Sequence, residues 1–338
     1  MMSLPLSVCI ATAGQPSLLR RTLESLAACE KPAGYVGAVI VENGSRRGVA
    51  EDVARFDAQH GIRYLHVPEA NKSHALNVGL KHLPQGLVVF LDDDVRLAPG
   101  LLLAYAAAAA GISAGEFYGG PLGIDQQGEL GAEWLRAYLP KSARGWRLEH
   151  AVKTPLRKEK FLGPNWAAFT ADLHKIGGFE TRLGPGAHTG ATGQETDAQN
   201  RLRAAGARPC YLPAAEAWHY VRSECFTPEW IIARARRHGL EWGINRARRP
   251  RHGWTNRLLY AARSAADQAR SAWLRQWGGE KGRFRAAFLA ATWQGRWEGL
   301  RIGANWEAVP RVECEPPGAL PQAQQKPLPR ATRVSINA

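Results

Sequence analysis

Three consecutive carboxylates, Asp92, Asp93 and Asp94, close the almost wholly apolar run in the string VVFLDDDVRLAPG. Like charges so close together repel, and an apolar approach to them is tolerable only if a cation or several donors neutralise them. If the strand continues through the cluster, alternation puts Asp92 and Asp94 on one side and Asp93 on the other, which makes Asp92 and Asp94 the useful pair. Such a carboxylate can hold a divalent ion, Mg²⁺ or Mn²⁺, that keeps waters and takes phosphate oxygens from a substrate. The competing reading is a solvated loop that is merely acidic, and the apolar lead-in argues against it.

A second acidic pair, Glu195 and Asp197, follows the Gly-rich stretch GPGAHTGATG and opens a helix-like segment. That stretch reads as a mobile loop by composition. A carboxylate after such a loop gains from the helix dipole and can be positioned by loop closure. Two residues apart, the acids cannot share a helical face, so Glu195 is the candidate general base and Asp197 an orienter or a stabiliser of the first turn. Both also suit the ordinary role of first-turn acids. His219, between Trp218 and Tyr220, reads either as a packed histidine or as a metal contact. Lys72 and Arg222 are phosphate-pairing candidates by charge, and no Cys or Ser has the base partner a nucleophile needs.

The elements that must position these residues alternate along the first 120 positions. The runs 6–12, 35–42, 62–67 and 87–92 are continuously apolar or β-branched, as strands buried on both faces should be. Helix-like segments at 17–28, 49–60 and 73–82 separate them, which predicts an α/β fold with a mostly parallel sheet wrapped by helices. In such sheets polar chemistry gathers at the carboxyl ends of strands, where Thr12, Glu42 and the Asp cluster fall. Further on, FYGGPLGI, KFLGPNWAAFT and ARPCYLP are strand candidates, 192–205 a helix, and everything from Thr227 to about Gly303 helical, with breaks near Pro250 and Gly278.

Four motifs in order, SVCIATAGQPSLLRRTLESLAA, VIVENGSRRG, NKSHALNVGL and FLDDDVRLAPG, resemble the inverting family 2 glycosyltransferases, and the later FLGPNWAAFTADLHKIGGFE and GATGQETDAQNRLRAAG extend the likeness over residues 6–222. The resemblance implies a GT-A-like nucleotide-diphospho-sugar transferase fold and transfer of a sugar to an acceptor hydroxyl. It implies that Thr12, Ala13, Glu42, Lys72, Asp92 and Asp93 bind the donor, and that Asp94 and His219 meet Mg²⁺ or Mn²⁺. It places Asn165, Trp166 and Asp197 on the acceptor side, with Glu195 as base. Where the family has Asp for the nucleotide base and Glu-Asp-x-Asp at the catalytic stretch, this chain has Glu42 and Gln194-Glu195, so the base keeps its carboxylate with a longer reach.

The chain carries a formal net charge of +14, and between Arg222 and Arg311 it holds 18 Lys or Arg against 7 Asp or Glu, so the excess belongs to the C-terminal third. Such a surface draws polyanions: a phosphorylated substrate, nucleic acid or anionic lipid. Eight of the twelve Trp lie beyond Arg222. Spaced with Leu258, Phe284, Phe288 and Leu300, they give the helices apolar stripes opposed by Arg, which either pack on one another or meet a membrane surface and a lipid-linked glycan. Five scattered cysteines argue against a disulfide framework or zinc knuckle. With no basic segment ahead of the first apolar run and no apolar stretch near ~20 residues, the expectation is a cytoplasmic protein, peripheral at most on the inner membrane face. These boundaries give a catalytic domain over 1–222, a basic helical extension over 223–312 and a Pro- and Gln-rich disordered tail over 313–338. The rival readings are a metal-dependent phosphohydrolase or nucleotidyltransferase using the Asp cluster, and a nucleic-acid module that would leave the cluster without a purpose.

Overall fold

The computed structural model describes residues 3–248 and 254–313. The break expected near Pro250 and almost all of the expected disordered tail lie outside them.

Strands and helices alternate from the start: β1 (Leu6–Thr12), α1 (Pro16–Ala28), β2 (Tyr35–Asn43), α2 (Val49–His60), β3 (Ile62–Val67), α3 (Lys72–Lys81) and β4 (Leu87–Leu91). β1 lies between β2 and β4, all parallel, and β3 extends the sheet beside β2. Every residue of β1 and β4 is buried, the physical reason that they read as unbroken apolar runs. Period-two alternation divides the core: Val8 and Ile10 face α1 and α2, while Cys9 and Ala11 face α3 on the other side. Pro16 starts α1, where its missing N–H costs nothing, and Asn71 caps α3 by accepting from the His74 N–H at 3.0 Å.

The chain continues through β5 (Val95–Leu97), α4 (Leu101–Ala108), β6 (Glu116–Gly119), β7 (Leu122–Gln126), α5 (Lys141–Arg144), β8 (Thr154–Pro155), β9 (Asn165–Phe169), α6 (Thr170–Lys175), α7 (Gln194–Ala204), β10 (Arg208–Tyr211) and β11 (Ala217–Val221). The main sheet has the order β3-β2-β1-β4-β9-β6-β10-β8, with β9 antiparallel to both of its neighbours. A second sheet, β5-β11-β7, begins one residue after the acidic cluster. The run FYGGPLGI is therefore two strands: β6 stays in the main sheet and β7 crosses to the small one. At the crossing a side chain on Gly120 would meet the Ala215 carbonyl oxygen at 1.7 Å.

Three helices follow, α8 (Pro228–Ala247), α9 (Trp254–Trp277) and α10 (Gly279–Ala304). Glycines let α8 and α10 approach backbone to backbone: a Cβ on Gly239 would lie 2.3 Å from Thr292 O, and one on Gly295 would lie 2.0 Å from Arg236 O. The helices are packed into the rest of the molecule. Phe226, Ile231 and Phe284 share a core with Leu135 and Val221, while Leu240, Ile244 and Trp306 share one with Leu183 and Ala191. A boundary at 222 thus falls inside packed cores, not in a linker.

The close crossing gives a first prediction. Gly295→Ala should lower the unfolding free energy in urea by about 1–3 kcal/mol through overpacking, despite alanine's better helix propensity. The exposed neighbour exchange Gln294→Ala should stay within about 0.5 kcal/mol. Equal effects from the two would remove the close crossing as a stability determinant.

Candidate active site

β4 ends at Leu91, and the Asp cluster occupies the turn that follows, so strand alternation does not reach it. This corrects the expectation that Asp92 and Asp94 act as one same-side pair, because each of the three carboxylates meets a different element. Asp92 pairs with Lys72 at the start of α3. Asp93 accepts from the Thr12 hydroxyl at the end of β1, 2.5 Å away. Asp94 faces His219 of β11, Oδ2 to Nε2, at 3.2 Å. The small sheet makes that last contact possible: β11 runs antiparallel to β5 with His219 opposite Val95, and the Tyr220 N–H donates to the Asp94 carbonyl at 2.8 Å.

Burial, reinforced by the charge of Asp94, pushes Asp93 up to about 7, and the Thr12 hydroxyl only partly opposes this. For Asp94, burial also favours the neutral acid, but His219, together with Lys72 and Arg222, more than offsets it and holds the carboxyl below the usual range. Burial alone would keep the His219 ring neutral, and Asp94 reverses that, raising its pKa. Lys72 is likewise held in its charged form against burial, chiefly by Asp92, with Glu195 and Asp93 adding to the effect.

Two details fit this corner to a divalent cation. His219 Nδ1 lies 2.8 Å from the Ser142 carbonyl, which can only accept, so the neutral ring keeps its proton there and turns the Nε2 lone pair toward Asp94. Asp94 Oδ1 is buried without a hydrogen-bond partner among the described residues. A carboxylate oxygen in want of a partner beside an imidazole lone pair is a suitable donor set. No group of three potential protein ligands occurs among the described residues. An ion held by these two groups would take its other positions from water and substrate phosphate, as Mg²⁺ and Mn²⁺ prefer.

Glu195 stands in the first turn of α7 and lines the same cleft, of about 630 Å³, as Lys72, Asp92 and His219. Gly193, at φ 90°, turns the chain into that helix, and a Cβ there would lie 2.3 Å from the Glu241 carboxyl group. Among the described residues no side chain hydrogen-bonds or salt-bridges the Glu195 carboxylate. Burial and then the charge of Glu241 raise its pKa, with Lys72 partly opposing. The expected mobile loop before it is tied down: Leu183, Ala187, Thr189 and Ala191 are buried, and Lys72 N–H donates to Pro185 O at 3.0 Å.

Other expected site residues lie elsewhere. Ala13 is exposed at the end of β1, next to Thr12. Glu42 is fully buried and both oxygens are engaged, Oε1 by the Arg47 N–H at 2.8 Å and Oε2 by the Tyr64 hydroxyl at 2.5 Å. Asn165 is pinned beneath the cleft, accepting from the Tyr105 hydroxyl and donating to Pro121 O and Ala215 O. Trp166 stacks on Phe90 at 4.8 Å in the core. Both are buried, and Trp166 also lines a small cavity together with Lys72, Asp92 and Glu195. Asp197 is also withdrawn, bonded to Arg201 at 2.7 Å and to Arg248 at 3.1 Å, so it fastens α7 to the end of α8.

Sequence reasoning missed the contribution of α8. Arg234, His238 and Glu241 recur at i, i+4 and i+7 and line the cleft opposite Lys72. Among the described residues the Arg234 guanidinium has no hydrogen bond or ion pair, and burial together with Arg237 lowers its pKa. The signal was the helical spacing within ARARRHGLEW, hidden in a general excess of Arg. A second cavity of about 600 Å³ adjoins the cleft, shares Lys160, Thr196, His238 and Glu241 with it, and adds Trp242 and Arg296.

The family described as "Glycosyltransferase like family 2" matches residues 5–239, which reaches into α8. Among solved structures, the mannosyltransferase PcManGT from Pyrobaculum calidifontis, in complex with GDP-Man and Mn²⁺, superposes with a TM-score of 0.54 at 18% identity, covering 91% of this chain and 89% of that one. GalNAc-T7, with UDP, GalNAc and Mn²⁺, gives 0.52 at 15% identity, covering 72% of this chain and 51% of that one, so the match spans about half of that protein. At such identities the likeness is one of fold, and the fold is GT-A. No curated protein matches significantly.

The Asp94–His219 contact gives a pH prediction. A raised His219 pKa means its charged form stabilises the fold fully below the ordinary imidazole range, and that contribution fades as pH rises through the raised value. A lowered Asp94 pKa means its contribution is present above the ordinary carboxylate range and fades as pH falls through the lowered value. In metal-free buffer, His219→Gln should therefore lower the thermal midpoint most in mildly acidic solution, with the difference narrowing toward alkaline pH. A pH-independent difference would count against the ion pair.

Proposed function

Because the chain belongs to glycosyltransferase family 2 and is a glycosyltransferase, we propose that it is a metal-dependent, inverting enzyme in which Glu195 takes the proton of an acceptor hydroxyl as a sugar leaves a nucleoside diphosphate. The observation that carries this reading is Glu195 itself: a carboxylate of raised pKa, without a bonded side-chain partner among the described residues, in one cleft with Asp92, Lys72 and His219. Family membership sets aside the phosphohydrolase reading of the Asp cluster.

The acceptor oxygen attacks the anomeric carbon, the bond from that carbon to the diphosphate oxygen breaks, and the proton passes to Glu195. Attack opposite the leaving group inverts the centre, and no protein nucleophile is needed. Asp94 and His219 would hold Mg²⁺ or Mn²⁺, which when bound offsets charge on the leaving diphosphate. Lys72 and Arg234 face the cleft as further cations for the diphosphate oxygens, and Thr12 fixes Asp93 at the floor. The raised pKa of Glu195 suits a base, since a carboxyl of ordinary pKa would have little affinity for the proton it must accept.

The donor class is a nucleotide sugar, and a panel of these screened for metal-dependent thermal stabilisation would identify it. With that donor, Glu195→Gln should bind as tightly as the native chain while transfer falls by about 10²–10⁴-fold. Retained turnover removes Glu195 from the base role. In the native chain, transfer should rise with pH through the raised Glu195 pKa, because only the ionised carboxylate accepts a proton. An acid limb within the ordinary carboxylate range would contradict this assignment.

A further inference from the structure

The stripes of α9 and α10 look alike in sequence, but the described residues cover one and leave the other exposed. On α10, Phe284 and Trp293 are buried, and the Trp293 indole N–H donates to Asp267 of α9 at 2.8 Å. Ser264, Ser271 and Leu274 form the face of α9 turned inward. Its other face carries Leu258, Ala262, Ala266, Ala269, Trp273 and Trp277 at intervals of three and four, a continuous apolar line ~28 Å long. These residues are all exposed, Trp273 at 61%, Trp277 at 68% and Leu258 at 60%. With Leu259, α9 holds four of the six exposed large apolar side chains among the described residues, so the exposure is concentrated on one helix.

The surrounding charge decides what covers it. From Leu258 to Ala304 the exposed charged residues are Arg263, Arg270, Arg275, Lys281, Arg283 and Arg301, against the single acid Glu280. The other two acids in that stretch are engaged, Asp267 by Trp293 and Glu298 by Arg236. Arg263 and Arg270 each follow a stripe alanine and so line one edge of it. A second copy would bring its own arginines to the same seam. An apolar line with two indoles, edged by cations and nearly free of exposed acids, is complementary to a surface with an apolar interior and anionic headgroups.

We propose that α9 is a membrane-docking helix, lying in the plane of an anionic lipid surface with Leu258, Trp273 and Trp277 inserted and Arg263 and Arg270 at the headgroups. No helix among the described residues is long and apolar enough to cross a membrane, so α9 lies on the surface and does not span it.

Flotation of the full chain with phosphatidylcholine vesicles, with and without phosphatidylglycerol and at low and raised salt, tests this. The chain should float with the phosphatidylglycerol vesicles at low salt and much less in the other conditions. Trp273→Ser combined with Trp277→Ser should weaken partitioning by at least about tenfold while leaving the thermal midpoint in place. Arg263→Gln with Arg270→Gln should remove only the part that depends on anionic lipid. A full chain that stays down with anionic vesicles overturns the proposal, as does undiminished flotation of the double Trp variant. Trp-dependent self-association without flotation would assign the stripe to a second copy and overturn it equally. Docking does not depend on the catalytic reading, so Glu195→Gln should float as the native chain does.

Discussion

Three adjacent carboxylates at the end of a buried strand set the terms for the rest of this molecule. Left unneutralised, they would repel one another in a poorly solvated corner, and burying even one unpaired charge is costly. The fold answers with three separate elements: the Thr12 hydroxyl from β1, the Lys72 ammonium from α3 and the His219 ring from β11. Two of these follow from the parallel sheet, since the end of neighbouring β1 and the start of the preceding helix α3 lie beside the end of β4. The third requires a second sheet, and the pairing of β11 with β5 delivers it.

The same economy of charge shapes the cleft. Six Lys or Arg line it against four Asp or Glu, so it keeps a positive balance before any divalent ion is added. That balance suits a diphosphate. Burial and Glu241 raise the pKa of Glu195 while Lys72 opposes them without forming a salt bridge to it. Arg234 carries the argument further. Half-buried and without a bonded partner among the described residues, its guanidinium is open to an anionic ligand.

Much of the fold was legible because burial on both faces leaves an unmistakable mark. β1, β2 and β4 are largely apolar runs, and the Asp cluster follows β4 directly. β5 and β11 were not legible: one has three residues, and the other mixes Trp, His and Tyr in a pattern that reads equally as loop. Nothing in a sequence tells a polar residue such as Asn165, which holds three backbone and hydroxyl partners, from one that reaches freely into a cleft. The partners of Glu42 were hidden for the same reason, since Tyr64 comes from the neighbouring strand. Arg234 was lost among many arginines because its distinguishing feature is isolation from partners, which only packing reveals.

The helical extension shows why a hydrophobic period leaves its partner unspecified. α9 and α10 carry comparable stripes, yet α10 is pressed between its neighbours while the outer face of α9 is left exposed by the described residues. The difference traces to glycine. Gly239 and Gly243 on α8, with Gly295 and Gly299 on α10, draw those two backbones together, so α10 is fully occupied on that side. α9 must then pack on the remaining face of α10, and it does so with Ser264, Ser271 and Leu274, residues too few and too small to cover its stripe. One close crossing thus has two consequences: it fixes α8 so that Arg234 and Glu241 stand in the cleft, and it leaves α9 as an outer layer whose apolar line faces away from the core.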